Sequence, residues 1–438
     1  MLTSKQPRCL RTASRLGLGV ALGMLMLPVA QAADAPASRY VLEKSVQVSR
    51  HGVRPPTDME KMKKATNREW PLWTVAPGEL TGHGYIASSL MADYQARYYR
   101  DAGLLPEGCP QADSVYAISS PKQRTRATVA AMMDGMFPGC GEQAVSVPGL
   151  QDALFQTDKM GFAKLDPAIA KAEILAALGG DLKKAKAQLQ PELDQLKKAA
   201  CVEGKSCPFY EADWELKHKD GRFKIKGLSN ASSIGESFRL QYSEGLPLSQ
   251  VAFGHARTAK EVAALSRFHQ AKYDFINDTP HIAKRGGSQL MNQINLALLQ
   301  GTDLEKNDAL GNPPKAPLFV IVAHDTNISY LRTMLGFTWE LGEYRKGNIP
   351  PTGTLTWERF RDSKTGERFV RTSFTAQSMD QIRSLTPLNA SNPPLQAEFD
   401  LGDCKKTEVG TLCPLNSFAQ KMDSIIDKTA LTRYSYPQ

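Results

Sequence analysis

Apolar and polar positions along this chain follow two patterns, one typical of buried strands and one typical of amphipathic helices. Residues 318–323 (LFVIVA) form an unbroken apolar run, as expected for a strand that is buried on both faces of a sheet. Residues 40–49 and 114–118 are further runs that predict strands. Residues 81–99 repeat apolar side chains near helical spacing, and Gly103 just beyond them suits a helix end.

Predicted strands are followed by predicted helices in three places, which indicates an α/β sheet with flanking helices. Helices are predicted over residues 121–136 and over residues 327–335, where Gly336 ends the second one. Open α/β sheets bind ligands beyond the carboxyl ends of their strands, so polar residues just past those ends are candidates for a site. They are Arg50, His51, Arg124, His324 and Asp325.

The middle of the chain has a different texture and predicts an inserted, mostly helical lobe. Residues 163–198 are rich in Ala, Leu, Lys and Gln, and residues 236–242 and 259–277 also favour helix. A mature chain of about 400 residues exceeds what one core usually holds, so two lobes are expected. The predicted division is a signal peptide at 1–32, an α/β catalytic domain at 33–150 and 290–438, and the helical lobe at 151–289.

The first residues have the features of a signal peptide. A basic start is followed by an apolar run over residues 17–29 and a small-x-small cleavage site at residues 30–32. That run is too short to span a membrane, and no other stretch reaches the ~18 residues needed. We therefore expect a periplasmic or secreted protein with no membrane span once the leader is removed.

The net charge adds little to the predictions of fold and function. The formal charge of +9 falls to +5 when the leader, with four basic and no acidic residues, is removed. This balance suits anionic substrates but is too diffuse to indicate nucleic-acid binding.

Cysteines point to disulfides rather than to metal. An even number remains after the leader, which in an exported chain predicts disulfide bonds, and six cysteines allow fifteen pairings. Zinc is the alternative, but no Cys-x-x-Cys spacing and no Cys-His cluster supports it. The six are Cys109, Cys140, Cys201, Cys207, Cys404 and Cys413.

The strongest chemical signal is the string RHGVRPPT at residues 50–57, which sets His51 between two arginines. Guanidiniums donate paired hydrogen bonds to phosphate oxygens, and an imidazole nitrogen can attack phosphorus as a covalent nucleophile. A structural histidine buried beside arginines is the alternative. Without an anion between them, however, two arginines so close to one imidazole would repel each other.

This string resembles Arg-His-Gly-x-Arg-x-Pro-Thr, the active-site motif of the histidine acid phosphatases, whose branch includes periplasmic phytases and glucose-1-phosphatases. The family's distant His-Asp pair is matched at residues 322–327 (VAHDTN), and its Gln-Arg-Thr-Arg stretch at residues 123–126. The likeness extends from about residue 41 to about residue 413 and is greatest to bacterial phytases of enterobacterial type. Further matching stretches are residues 70–73, 79–84 and 347–351.

The resemblance implies a role for each of these residues. His51 is the expected nucleophile that forms a phosphohistidine, and Arg50 and Arg54 are expected to cradle the phosphate. Arg124 is expected to bind it from the start of a helix. The following residue pair completes the site: His324 as a hydrogen-bond donor to phosphate, and Asp325 as the general acid for the leaving oxygen and then the base for water.

Some assignments leave alternatives open. Thr57 either donates to phosphate or caps a local turn, and the alternative for Asp325 or Thr326 is a role only as a helix N-cap. Arg126 is the rival of Arg124. Glu236 matches a family position at the cleft rim, but a helix-surface glutamate fits equally well.

The family pattern also implies a phosphoglycerate-mutase-like fold, a helical lobe that forms one wall of the substrate cleft, and disulfides between neighbouring cysteines. We expect no metal or other cofactor, because the arginines do the neutralising that a metal would do. The expected pairs are Cys109–Cys140, Cys201–Cys207 and Cys404–Cys413.

The resulting functional expectation is a secreted, monomeric acid phosphatase that hydrolyses phytate. Three features bear on the substrate: Asp58 is an acid near the expected path of a polyanion, Ala153 replaces a family proline, and Thr157 begins a phytase-like stretch. The first alternative is a glucose-1-phosphatase or a broad-specificity acid phosphatase. A phosphate-ester binding protein without turnover, and a phosphomutase, are the others. Because Asp325 acts as an acid, an acidic activity optimum is expected.

Overall fold

The computed structural model describes residues 38–438, and the predicted signal peptide at 1–32 lies outside the described residues. Within the described part, the strands are β1 (Tyr40–Arg50), β2 (Val115–Ser119), β3 (Glu215–Lys219), β4 (Arg222–Lys226), β5 (Leu318–Ala323), β6 (Thr354–Asp362), β7 (Arg368–Ala376), β8 (Leu395–Glu398), β9 (Lys405–Thr407) and β10 (Gly410–Pro414). An eight-stranded sheet has the order β2-β5-β1-β6-β7-β10-β9, with β8 also paired to β7. Strands β3 and β4 form a separate hairpin.

The central strands β2, β5 and β1 are parallel, and their register brings three chain segments to one edge of the sheet. Arg50 at the end of β1 is level with Ala323 at the end of β5, and Ser119 on β2 is level with Val322. The residues that follow these strands, His51, Ser120 and His324, therefore leave the sheet side by side. The carboxyl edge is where an α/β sheet is expected to bind its ligand.

Helices cover the sheet and fill the middle of the chain. They are α1 (Met59–Thr66), α2 (Gly82–Asp101), α3 (Gln123–Met136), α4 (Ala153–Gln156), α5 (Pro167–Ala177), α6 (Leu182–Gln188), α7 (Gln190–Ala200), α8 (Pro208–Glu211), α9 (Leu228–Ser243), α10 (Ala259–Leu265), α11 (Arg267–Lys272), α12 (Pro280–Leu299), α13 (Asp325–Leu335), α14 (Met379–Ser384) and α15 (Leu415–Ile425). Short 3₁₀ turns lie at Val251–Gly254 and Lys428–Ala430, and a π-helical turn lies at Tyr273–Asn277.

Both faces of the sheet are buried, which explains the apolar run of β5. Alternate side chains point to opposite faces of a strand. Leu318, Val320 and Val322 join one core with α2 and α3. Phe319 and Ile321 join a second, larger core that contains residues of α12, α13 and α15. Burial of these faces in two helical layers is the main apolar contribution to the fold.

The predicted α/β architecture is confirmed, and each of the three strand-then-helix units is present with ends within a few residues of the prediction. Gly336, at φ 77°, ends α13 as expected. The antiparallel strands β6 to β10 have no counterpart among the predicted strands. In β6 and β7 charged residues interrupt the pattern, because Glu358 and Arg371 face each other in register and pair inside the structure.

The predicted division into two lobes stays a prediction. Residues 39–438 form one compact unit. Helix α12 continues without a break through the predicted boundary at residues 289 and 290, and the hairpin of β3 and β4 adds strands to the segment expected to be mostly helical.

Three disulfides are present, and they join the pairs that the family pattern implied: Cys109–Cys140, Cys201–Cys207 and Cys404–Cys413. Among residues 38–438, no helix combines the length and apolar character needed to cross a membrane.

Candidate active site

His51 lies at the centre of the candidate site, directly after β1, and is 1% exposed. Its ring Nδ1 is 2.9 Å from Gly52 O. Because a carbonyl oxygen only accepts, Nδ1 carries the ring proton and Nε2 keeps a free lone pair. Burial, together with Arg124 and the other nearby arginines, holds the pKa of His51 well below its usual range. The imidazole is therefore neutral and nucleophilic even in mild acid.

Gly52 is required by packing against the start of α2. A Cβ at this position would lie 2.7 Å from Ser88 Oγ and 2.8 Å from Leu80 Cδ1. Its N–H donates to Thr128 Oγ1 on α3 (2.9 Å). The glycine thus lets the segment after β1 fit between the two helices, which fixes where His51 points.

Arg50 is fully buried and is held by two acceptors. Its guanidinium donates to Ile349 O (2.6 Å) and to Glu236 Oε1 (2.5 Å). Glu236 lies on α9, is 6% exposed, and also pairs with Arg239 (2.5 Å). Glu236 lines the first cleft, and its predicted role in substrate binding stays a prediction. The helix-surface alternative is wrong, because the carboxylate is the buried counter-ion of two arginines.

Three arginines around His51 have donors to spare. Within residues 38–438, the Nε atoms of Arg50, Arg54 and Arg124 are buried without a hydrogen-bond partner. Burial and the neighbouring Arg124 lower the pKa of Arg54 to about 10, and burial also lowers the pKa of Arg124. Buried donors without acceptors are costly, so this arrangement is suited to an anion that accepts from all three.

The two arginines of the α3 start separate as expected from helix geometry. Arg124 lines the site and approaches His324 Nδ1 (3.5 Å), whereas Arg126 is exposed. Two positions along a helix point in different directions, so only one can face His51.

His324 directly follows β5 and is the N-cap residue of α13. Its Nε2 lies 3.0 Å from Ser120 Oγ, and its ring is edge-on to that of His51 at 5.7 Å. Burial and Arg124 lower the pKa of His324 to about 3, so it is a neutral side chain. The helix cap that was an alternative for Asp325 or Thr326 thus falls on His324 instead.

Asp325 is the first residue of α13, and its carboxylate is contacted by side chains of α11 and of the π-helical turn that follows α11. Tyr273 donates its phenol O–H to Asp325 Oδ2, and His269 Nε2 lies 3.8 Å from the same oxygen. Burial would raise the pKa of Asp325, but Arg50 and Lys272 hold it well below its usual range. Asp325 is thus ionised.

Two clefts meet at the catalytic centre, and Arg54 and Asp325 line both of them. Thr57 is exposed in the first cleft, and Asp58 beside it is the N-cap of α1, where its side chain accepts from Lys61 N (2.8 Å). The Asp58 carboxylate, which was expected near a polyanionic substrate, is therefore already engaged in capping α1.

Basic side chains extend both clefts beyond the three arginines described above. Lys61 and Lys272 line the first cleft. Lys122, Lys159 and Arg222 line the second, and Arg222 Nε is another buried donor without a partner in the described part of the chain. The second cleft is therefore cationic, since its basic lining residues outnumber its two acidic ones, whereas the first cleft has as many acidic lining residues as basic ones.

The second cleft has a wall formed by α4, where the sequence departs from the family pattern. Asp152 is the N-cap of α4 and accepts from Leu154 N (2.8 Å), so the helix starts properly without the family's proline. Asn327 on α13 donates to Phe155 O (2.8 Å) and ties this wall to the catalytic residues.

Sequence reasoning missed His269, Tyr273 and Ser120. His269 and Tyr273 are four residues apart, a spacing that places two side chains on one face of a helix and was the available signal. Nothing around Ser120 distinguishes it, because its contact with His324 comes from the register of two strands. Within residues 38–438, no group of three or more His, Cys, Asp or Glu side chains is arranged to hold a metal ion.

Comparison with known proteins places this site in context. Residues 41–375 match the histidine phosphatase superfamily (branch 2). Phytase AppA of Escherichia coli is 30% identical over 399 residues, covering 86% of this chain and 90% of that protein. A glucose-1-phosphatase of Salmonella typhimurium is 27% identical over 430 residues, covering 94% of this chain and 98% of that protein.

Solved structures of bacterial phytases are also similar to this chain. The phytase of Klebsiella sp. ASR1 has a TM-score of 0.85 and 39% identity, covering 91% of this chain and all of that one (100%). Hafnia alvei phytase in complex with myo-inositol hexakis sulphate has a TM-score of 0.81 and 28% identity, covering 91% of this chain and 100% of that one.

Proposed function

Because this chain belongs to the histidine phosphatase superfamily (branch 2), we propose that it is a secreted acid phosphomonoesterase that hydrolyses phytate, myo-inositol hexakisphosphate, and other phosphate monoesters. The observation that carries the proposal is the set of buried, unpartnered guanidinium donors around a neutral His51. An anion with several acceptor oxygens satisfies them, and phosphate is such an anion.

In the first step, His51 Nε2 attacks phosphorus. The N–P bond forms as the bond from phosphorus to the ester oxygen breaks, and that oxygen leaves with the electron pair. Arg50, Arg54 and Arg124 offset the charge on the phosphoryl oxygens, a task for which fixed, desolvated donors are suited. The Nδ1 contact with Gly52 supports this role, since it leaves Nε2 as the attacking atom.

Asp325 accepts and donates the proton that each step requires. A monoanionic ester brings a proton into the site, Asp325 takes it, and the carboxyl group then transfers it to the leaving oxygen. In the second step, water attacks the phosphohistidine, its proton passes to the Asp325 carboxylate, and the N–P bond breaks. The low pKa of Asp325 before binding supports its role as the base in this second step.

The remaining site residues have supporting roles. His324 and Thr57 are proposed to donate to phosphate oxygens, His324 by turning its Nε2 proton from Ser120. Glu236 acts through Arg50, since a carboxylate repels phosphate and its oxygens are already bound to arginines. The helical segment at 151–289 supplies Lys159, Arg222 and Lys272 and is proposed to be the substrate-specificity lobe.

Phytate is favoured over a sugar phosphate by the charge beyond the catalytic phosphate. Glucose 1-phosphate has one phosphate and a neutral ring, which leaves Lys61, Lys122 and Arg222 without anionic partners from the substrate. Phytate has several phosphates to place in both clefts. Glucose-1-phosphatase and broad-specificity acid phosphatase remain the alternatives, supported by relatives of that name that align over 94% of the chain.

The cellular setting belongs to the same proposal. The leader at residues 1–32 and three disulfides support export to an oxidising compartment, the periplasm or the exterior. We propose a monomer that needs no metal.

The test compares phosphate release from phytate and from glucose 1-phosphate, across pH and with chelator present. We expect the higher kcat/KM for phytate, with no loss on chelation. Lys159→Met is expected to raise KM for phytate while leaving KM for glucose 1-phosphate unchanged, and Lys421→Met, on α15, is the matched control. A strong preference for the sugar ester would overturn the phytate assignment, and loss of turnover with chelator would overturn the metal-free assignment.

A further inference from the structure

Tyr273 makes a contact with the catalytic carboxylate that the reaction scheme above does not use. The side chain is fully buried, at 0% exposure, and its phenol donates to Asp325 Oδ2. The same phenol oxygen lies 3.2 Å from His269 Nε2. A phenol has one proton and two lone pairs, so it can donate to Asp325 while accepting from His269.

The contacts of His269 determine the direction of donation along these two hydrogen bonds. Its Nε2 faces two carboxylate oxygens, Glu236 Oε2 at 3.5 Å and Asp325 Oδ2 at 3.8 Å, which only accept, so the ring proton is assigned to Nε2. Ser232 Oγ, 3.4 Å from Nδ1, then donates to that nitrogen. Burial lowers the pKa of His269 to about 3, even with Glu236 Oε2 at 3.5 Å, so the ring is neutral. The direction of donation therefore runs from His269 to Tyr273 to Asp325. Linked hydrogen bonds of this kind strengthen one another.

The backbone at Tyr273 supports a specific role. Helix α11 ends at Lys272, and Tyr273 starts the π-helical turn Tyr273–Asn277. Such turns are rare, occur mostly as single-turn insertions in α-helices, and are frequent at functional sites. The turn lies where the phenol meets Asp325.

We propose that Tyr273 is a positioning residue that fixes Asp325 Oδ2 as a hydrogen-bond acceptor and so makes Oδ1 the atom that carries the catalytic proton. This inference rests on the proposed acid and base roles of Asp325. An oxygen that already accepts from a phenol is the poorer site for a proton, whereas the other oxygen of the same carboxyl is left for the substrate.

The proton that enters with the ester binds Oδ1. When the bond from phosphorus to the ester oxygen breaks, the Oδ1–H bond breaks too and the proton goes to the leaving oxygen. In the second step Oδ1 accepts a proton from the attacking water as the N–P bond breaks. The phenol O–H bond stays intact throughout, so Tyr273 exchanges no proton.

Several charged or titratable groups face Asp325 and set the background for any pH effect. They are Arg50 on β1, Arg54, Arg124 on α3, His269 and Lys272 on α11, and Tyr273 itself. Removal of the phenol hydroxyl leaves all the other groups in place, so Tyr273→Phe removes only the hydrogen bond to Asp325 and the one from His269.

The test measures kcat/KM of Tyr273→Phe for two esters, glycerol phosphate and p-nitrophenyl phosphate. An alkyl leaving group needs the proton from Asp325, and a nitrophenolate leaving group does not. We expect kcat/KM for glycerol phosphate to fall about tenfold to a hundredfold, as for loss of a hydrogen bond to a charged group, and kcat/KM for p-nitrophenyl phosphate to change by less than about threefold.

A pH profile is the second readout. The phenol donates to the ionised carboxylate, so its loss raises the pKa of Asp325. Because kcat needs Asp325 ionised as the base for water, the acidic limb of the kcat profile is expected to move to higher pH. Tyr99→Phe is the matched control: that phenol is also buried, contacts Ser45 Oγ (2.8 Å) and Gln47 Nε2 (2.6 Å), and is expected to leave both readouts unchanged.

An equal loss for both esters with an unmoved acidic limb would overturn the inference and leave Tyr273 a packing residue. Should Tyr273→Phe fail to fold, His269→Gln provides the test, since it weakens the same chain one step away and is expected to shift both readouts in the same direction by less. The proposed function fails separately: it is overturned if Asp325→Asn keeps full activity.

Discussion

Replacing Glu236 with glutamine is expected to lower stability and to tighten phosphate binding at the same time. Burial would raise the pKa of Glu236, but Arg239 and Arg50 hold it well below its usual range. The carboxylate is thus ionised and is the counter-ion of two buried guanidiniums at 2.5 Å each. Glutamine keeps the size and shape of the side chain, removes the charge and replaces one acceptor oxygen with an NH2 donor.

The size of the effect follows from these contacts. Removal of one partner of a buried ion pair costs about 3–5 kcal/mol, because the other charge is left uncompensated. With an unfolding entropy of about 2.1 cal/mol/K per residue and about 400 folded residues, Tm is expected to fall by about 4–6 °C. Relief of even about 0.7 kcal/mol of repulsion between Glu236 and bound phosphate lowers the phosphate inhibition constant about threefold.

The stability difference is expected to depend on pH with a defined sign. A carboxyl group with a depressed folded-state pKa stabilises the fold above its unfolded pKa, near ~4.3, and loses that contribution as the pH falls toward the folded value. The Tm difference between the unmodified chain and Glu236→Gln should therefore be full at pH 6 and shrink below about pH 4.

The assay is a thermal melt at several pH values, combined with product inhibition by inorganic phosphate. Glu358→Gln is the matched control, since Glu358 is 2% exposed and pairs with Arg371 at 2.6 Å on another part of the sheet. It should lower Tm by a similar amount without changing phosphate inhibition. A Glu236→Gln protein that melts within about 1 °C of the unmodified chain, or that binds phosphate more weakly, would refute the counter-ion argument.

Two further predictions concern disulfides and pH. In the loop-entropy model, removing Cys109–Cys140 (separation 31) by double alanine substitution costs about 3.7 kcal/mol, and removing Cys404–Cys413 (separation 9) costs about 2.6 kcal/mol. Thermal melts should therefore show the larger loss of Tm for the variant without Cys109–Cys140. The reverse order would contradict the loop-entropy model. Because Asp325 is ionised before substrate binds, the proton for the leaving group has to come from the ester. The ester loses its second proton near about pH 6, so kcat/KM for glycerol phosphate should fall about tenfold per pH unit above that pH. A profile flat into the alkaline range would count against this proton path.

Parts of the site that are contiguous in the chain could be predicted from the sequence. The arginines beside His51 lie within five residues of one another, and the His324–Asp325 pair directly follows an unmistakable buried strand. Their meeting point follows from the rule that ligands bind at the carboxyl ends of parallel strands. Local pattern and one topological rule were enough for this part.

Contacts between distant segments could not be predicted in the same way. Glu236 reaches Arg50 across 186 residues of sequence, and the packing of α9, not any local pattern, decides that it is buried. Tyr273 reaches Asp325 across 52 residues through a π-helical turn that the helical pattern of residues 259–277 does not reveal. The charged strands β6 and β7 were hidden because their ion pairs are satisfied only across the sheet.

The most direct test of the central claim is to trap the covalent intermediate. Rapid acid-free quenching of Asp325→Ala with labelled p-nitrophenyl phosphate should accumulate nearly one phosphoryl group per chain, because the base for hydrolysis is gone while this leaving group needs no acid. The label should be acid-labile and should map to Nε2 of His51, since Nδ1 is engaged by Gly52. No label on His51 in the trapped protein, together with unimpaired turnover by His51→Ala, would contradict the account.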